Sequence, residues 1–171
     1  MEFLDLYLRQ GEAERAAPLL AEAESLALEA DAKDQLPEIY RGRALVRLAG
    51  QDRRSALEDA ERSVKLAQEL RMDPEAGMSL RVKGQVLLAG GQDEPALAAF
   101  ERSLSLLTDD PYESARTKAT WGRALVSIGD VDEGRALLQE ASLSLQGLGA
   151  KQDLETVEES SSLRGVPGSR A

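Results

Sequence analysis

The stretch GRALV occupies residues 42–46 and returns at residues 122–126. Between the two copies, VKGQVLLAG (82–90) is a looser echo of GRALVRLAG (42–50). Rows of 40 residues therefore align Leu8, Leu48, Leu88 and Ile128, then Leu6, Val46, Val86 and Val126, then Ala16, Ala56, Ala96 and Ala136. Rows two and three also share Gly50 with Gly90, and the tripeptide Glu-Arg-Ser at 61–63 and 101–103. A fixed period of this length marks a repeat architecture.

Inside each row the apolar period is helical. Leu57, Ala60, Val64 and Ala67 fall on one stripe with acids and bases opposite. The spacing predicts a first helix (A) in each row near 2–10, 37–49, 75–90 and 112–128, and a second (B) near 12–31, 53–71, 94–108 and 131–147. A closing helix is predicted near 151–163. Pro37, Pro74 and Pro111 stand at A-helix starts, where a missing N–H costs nothing. Asp73, Asp110 and Asp130 read as N-caps, and Pro18 should kink its helix or shorten its start. A hairpin of two such helices cannot cover its own apolar face, whereas stacked hairpins cover one another. Gly42, Gly122, Ala56, Ala96 and Ala136 are then the small residues that let neighbouring helices approach, and the repeated pentapeptide marks one crowded contact in two units.

Composition agrees. The 171 residues are 42% hydrophobic but 4% aromatic, so alanine and leucine, good helix formers, must supply the core. The net charge of −10 argues against general nucleic-acid binding and against anionic lipid. There is no cysteine and no histidine, which removes disulfides, thiolate metal sites, the commonest general base and the commonest transition-metal ligand. No apolar run reaches the length of a membrane span, and MEFLDLYLRQ lacks the basic start of a signal peptide, so the cytoplasm is the expected compartment.

These residues resemble the tetratricopeptide repeat family. The match is clearest in TWGRALVSIGDVDEGRALLQEASLSL (120–145), with Gly122 midway along helix A, Gly129 near its end, and Gly134 or Ala136, then Ala141, at the small positions of helix B. The family period is usually 34 residues; the longer period here is similar to that of the C-terminal arrays of bacterial signalling ATPases, nucleotide cyclases and transcriptional regulators, with LGAKQDLETVEE (148–159) carrying that likeness. HEAT-like repeats share a period near 40, but the small-residue columns count against them. The resemblance implies an all-α, right-handed α-solenoid of about four helix-turn-helix repeats, at about 1–35, 36–73, 74–110 and 111–149, with a capping helix over 150–163. Residues 1–163 would form one repeat domain and 164–171 a disordered tail.

No catalytic constellation, cofactor loop or metal motif is legible. Gly90 and Gly91 are not followed by the Lys-Ser/Thr of a phosphate loop, and GDVDEG (129–134) lacks the later glutamate of a calcium loop. Trp121, Tyr40 and Tyr112 read as packing residues. One pattern exceeds architecture. Over rows two to four the A helices carry eight bases and three acids, and Arg43, Lys83 and Arg123 recur at intervals of 40. Helix A lines the concave surface in the family, so the resemblance implies a basic groove containing Arg43, Arg47, Lys83, Arg116 and Arg123. The competing expectation is that these bases pair with acids on B helices such as Glu58, Glu61 and Glu101. The functional expectation is a non-catalytic scaffold that binds a protein or acidic peptide. The alternative is a regulatory segment of a larger signalling protein. The apolar first helix, with Phe3, Leu4, Leu6, Tyr7 and Leu8, suggests self-association or packing on another domain.

Overall fold

The computed structural model describes Leu4, Tyr7, Leu8 and residues 10–162. It is all-α, with no strand among the described residues. Within residues 10–162 eight α-helices follow in order: α1 (Ala16–Glu29), α2 (Leu36–Ala49), α3 (Arg53–Glu69), α4 (Asp73–Ala89), α5 (Asp93–Leu106), α6 (Pro111–Ile128), α7 (Val131–Gly147) and α8 (Lys151–Ser162). Leu4, Tyr7 and Leu8 are also helical. The rest of the predicted first helix and the predicted tail lie outside the described residues.

Local chemistry sets the helix ends. Pro111 opens α6, and Pro37 and Pro74 are the second residues of α2 and α4. Asp110 caps α6 by accepting the Glu113 N–H at 3.0 Å. Asp52, which the sequence reading missed, caps α3 through the Ser55 N–H at 3.1 Å. Asp73 is not a cap: it is already the first residue of α4, and Met72 precedes it without a side-chain bond. Asp130 holds the N-cap place of α7, also without such a bond. Pro18 shortens its helix as expected. A 3₁₀ turn over Ala13–Arg15 precedes Ala16, which leaves Pro18 in the first turn of α1.

The turns reveal the period more sharply than the side chains do. Gly11, Asp31, Gln51, Arg71 and Gly91 all have positive φ, at steps of twenty residues, and so do Gly129 and Gly149. After each, the next N–H reaches back five residues to a helix carbonyl, from Glu12 to Tyr7 through Ala150 to Leu145, at 2.8–3.0 Å. This left-handed C-terminal closure satisfies carbonyls that the helix itself leaves unpaired. The turn between α5 and α6 is the exception. Asp110 donates to Leu107 O at 3.0 Å, and none of residues 107–110 has positive φ. The step from Gly91 to Gly129 is consequently two residues shorter than 40.

The chain divides into two compact units, Met1–Leu106 and Leu107–Ala171. In the first, α2 pairs with α3, α3 with α4, and α4 with α5, while α2 also packs beside α4 and against α1. Its core comprises Leu4, Leu20, Leu36, Ile39 and Tyr40 at one end and Ala44, Ala56, Ala60, Val82 and Val86 further along. The 40-residue register holds here down to single hydrogen bonds. Buried Ser63 Oγ donates to Pro37 O at 2.6 Å, and buried Ser103 Oγ donates to Gly77 O at 2.7 Å. In the second unit α7 pairs with α6, and α8 packs on both. Val157 is buried there with Ala115, Ala119, Leu138 and Leu145, and Leu154 packs against them, as the predicted closing helix requires.

The short turn overturns part of the predicted register. Ile128 and Ala136 are exposed, so neither belongs in the columns of Leu48 and Leu88 or of Ala56 and Ala96. Counted from the turn, Val126 takes the first place and buried Gly134 the second. The two GRALV copies are likewise out of step. Gly42 stands nine residues before Gln51, but Gly122 stands seven before Gly129, where Ala44 and Gly84 belong. Not every glycine is constrained in this way. Gly147 is in α7 with nothing within 4 Å of an added Cβ. Gly147→Ala is expected to stabilise the fold by about 0.5–1 kcal/mol, read as a raised urea midpoint.

Candidate partner-binding surface

The predicted basic residues are largely occupied. Arg43, midway along α2, forks onto Asp59 of α3, with Nε at 2.8 Å from Oδ2 and Nη2 at 2.6 Å from Oδ1. Its remaining nitrogen holds Glu24 of α1. Arg47, one turn on, reaches the same Asp59 at 2.7 Å and Ser55 O at 3.2 Å. Asp59 is 3% exposed, so these charges are held in a medium that screens them little. The Asp59 hydrogen bonds raise the Arg43 pKa further. Buried Tyr40 lies beneath this cluster, its ring 5.1 Å from the Arg43 guanidinium and 4.3 Å from that of Arg62. Arg43 is therefore a tie between α1, α2 and α3.

Asp59 was missed in the sequence, although a signal was present. It lies at i+3 from Ala56 and beside Ala60 on the stripe that continues to Ser63 and Ala67, all of them buried. An acid on a buried stripe requires a base. Of the expected acid partners, Glu61 holds Lys83 at 3.0 Å, whereas Glu58 pairs with Arg54 on its own helix.

Lys83 of α4 is half-buried, and Glu61 is more than half exposed. Arg41 pairs with Glu75. In the second unit, Lys118 of α6 holds Glu140 of α7 at 2.7 Å. Arg116 contacts Glu113 at 3.3 Å and Asp153 of α8 at 3.8 Å. Tyr112, expected as a packing residue, is exposed instead and donates to Asp153 Oδ2 at 2.8 Å. Burial of part of its ring and then that hydrogen bond push its pKa up to about 12. The Arg116 guanidinium lies 5.7 Å from the Tyr112 ring, so Tyr112, Arg116 and Asp153 together fasten α8 to α6.

Arg123 departs from the expected column. It stands six residues before Gly129, whereas Arg43 and Lys83 stand eight before their turns, and half-buried Trp121 holds that place in α6. Among the described residues Arg123 forms no ion pair. Its contact is a hydrogen bond from Nη2 to Thr120 Oγ1 at 3.3 Å. Arg43, Arg47 and Lys83 thus share the first unit, while Arg116 and Arg123 lie on one face of α6 in the second.

Among the described residues no group of three or more acids is placed to hold a metal ion, and no helix is long and apolar enough to cross a membrane. No protein-family model matches the chain, and no curated protein sequence does. Among solved structures it is similar to the crystal structure of BtubC (BKLC) from P. vanneervenii, with a TM-score of 0.65 and 17% sequence identity, covering 98% of this chain and 81% of that one. At this identity the likeness is one of fold alone.

Proposed function

We propose that the chain is a non-catalytic interaction module of the tetratricopeptide type, working in the cytoplasm, which binds an acidic peptide or protein along the faces of α2 and α4. The observation that carries this reading is the side-by-side packing of α2 and α4. It sets Arg47 and Lys83 on adjacent helices, each still partly exposed. Their partners differ in kind. Asp59 is buried and fixed, but Glu61 is an exposed carboxylate on a flexible stem, and such surface pairs contribute only about 0–1 kcal/mol. A carboxylate from a partner can replace Glu61 on Lys83 at little cost. The absence of histidine and cysteine from the sequence supports a binding role over catalysis.

Selection from a randomised peptide library on the full chain tests this. Acidic peptides should be enriched, and the double variant Arg47→Gln/Lys83→Glu should bind them at least tenfold more weakly. Its melting temperature should move by only about 2–4 °C, because one exposed pair and one of two bases on Asp59 are lost. Equal enrichment of neutral and acidic peptides, or unchanged affinity in the double variant, would sink the reading.

A further inference from the structure

The turns at Gly11, Gln51 and Gly91 stand 40 residues apart, so places equally far beyond them on α1, α3 and α5 are equivalent. One stripe of these helices keeps the same surroundings in all three. Ala16, Ala56 and Ala96 are wholly buried, and Leu20, Ala60 and Phe100 are buried as well. The adjoining stripe does not. Leu19 and Leu26 are 41% and 58% exposed, whereas at the same places Asp59 and Ala99 are buried and Leu66 and Leu106 are half-buried. Between them Ala23 is half-buried where Ser63 and Ser103 are fully buried.

On α3 the cover over this stripe is α2. Asp59 holds Arg43 and Arg47, Ser63 Oγ donates to Pro37 O at 2.6 Å, and Leu66 packs on the cluster of Leu36, Ile39 and Tyr40. Earlier residues of α3 meet later residues of α2, so the two helices run antiparallel. On α5 the cover is α4, with Ser103 Oγ bonded to Gly77 O at 2.7 Å. On α1 the spacing Leu19–Ala23–Leu26 is that of a helix-packing face, yet both leucines stand open. Leu28 is 57% exposed, but its counterpart Gln68 is exposed too, so that side belongs to the outer surface.

We infer that the Leu19–Ala23–Leu26 face of α1 docks an amphipathic helix of another protein, antiparallel to α1, in the place that α2 takes on α3. The repeats fix the chemistry of that helix. Its inner stripe is aliphatic, as Leu36 and Ile39 are near Leu66, because removing two leucines from water drives the docking. Where α2 sets Arg43 against Asp59, the docked helix needs an apolar residue against Leu19. Its edges are basic. α1 carries three acids and no base, Glu24 is already held by Arg43, and exposed Glu22 and Glu29 stand three residues after Leu19 and Leu26. Two copies of α1 face to face would set acids against acids, which favours a basic partner over self-association. This surface is separate from the acidic-peptide surface of α2 and α4 and stands without it.

Fluorescein-labelled peptides with the sequence of residues 33–51, native and Arg43→Leu, are the probe, because they carry the α2 stripe together with Arg41 and Arg47. Titrated into the full chain and followed by anisotropy, the Arg43→Leu peptide should bind saturably, at least threefold more tightly than the native one, and less tightly as salt rises. In the chain, Leu19→Ser/Leu26→Ser should weaken it at least tenfold, while Leu28→Ser and Arg47→Gln/Lys83→Glu should leave it unchanged. The leucine variants change exposed side chains, so their melting temperatures should stay within about 2 °C of wild type. Absence of saturable binding, equal losses in Leu19→Ser/Leu26→Ser and Leu28→Ser, or unchanged affinity in the double leucine variant would overturn the inference. So would a wild-type dimer in sedimentation that Leu19→Ser/Leu26→Ser dissolves, since a second copy would then be the occupant.

Discussion

Gly122→Ala should lower the melting temperature by about 4–8 °C, against the usual preference of helices for alanine over glycine. The helices α6 and α7 cross where their backbones almost touch. A Cβ on Gly122 would stand 2.7 Å from Gly134 O and 2.9 Å from Leu138 Cγ. A Cβ on Gly134 would stand 2.7 Å from Gly122 O and 2.9 Å from Val126 N. Backbone atoms on both sides leave no flexible group to move, so the helices must separate. Overpacking of that kind costs about 3 kcal/mol. Alanine returns only about 1 kcal/mol through helix propensity, leaving a net loss near 2 kcal/mol. Gly84→Ala is the comparison, because its Cβ would meet the Phe100 ring at 2.9 Å, and a ring can shift. It should lose less than half as much. Thermal melts followed by circular dichroism decide it, and a Gly122→Ala protein as stable as wild type would refute the close crossing.

The second large effect is at Asp59. Asp59→Asn keeps the shape of the side chain and removes the charge that both Arg43 and Arg47 share. Arg43 keeps Glu24 but loses its bidentate partner, and breaking a buried pair from one side costs about 3–5 kcal/mol. Arg47 is partly exposed and recovers water, which places the expected loss near 3 kcal/mol in urea denaturation. The double change Arg43→Leu/Asp59→Leu should lose less than the two single changes together, since no charge is then left buried alone. Glu58→Gln, next in the chain, removes only an exposed pair with Arg54 and should lie within about 0.5 kcal/mol of wild type. Equal effects at Glu58 and Asp59 would show that burial does not distinguish them.

Most of the helix pattern was legible because it is local. Helix starts at Pro37, Pro74 and Pro111 follow from the fixed φ and missing N–H of proline, but the place just before a proline makes Asp110 a cap and leaves Asp73 inside its helix. Asp31, Gln51 and Arg71 were not legible as left-handed turn residues, because none is a glycine and their strain is accepted only where the five-residue return bond closes the helix. The basic column was read one row too far for a similar reason. A periodic alignment assumes equal turns, and the turn after α5 is two residues short. That shift puts Trp121 rather than Arg123 in the place of Arg43 and Lys83, and of the two candidates for the small position of helix B it selects Gly134 over Ala136.

What the amino-acid order determined alone was the all-helical class, the hairpin rhythm near forty residues and the small residues reserved for close contact. Each depends on backbone propensity and apolar spacing within one or two turns of helix. Only the tertiary structure decided which glycines meet, that Asp59 binds two arginines together, and that Arg123 forms no ion pair among the described residues. Those outcomes depend on the distance between groups on different helices, and a charge acts through space with a strength set by burial as well as by its place in the chain.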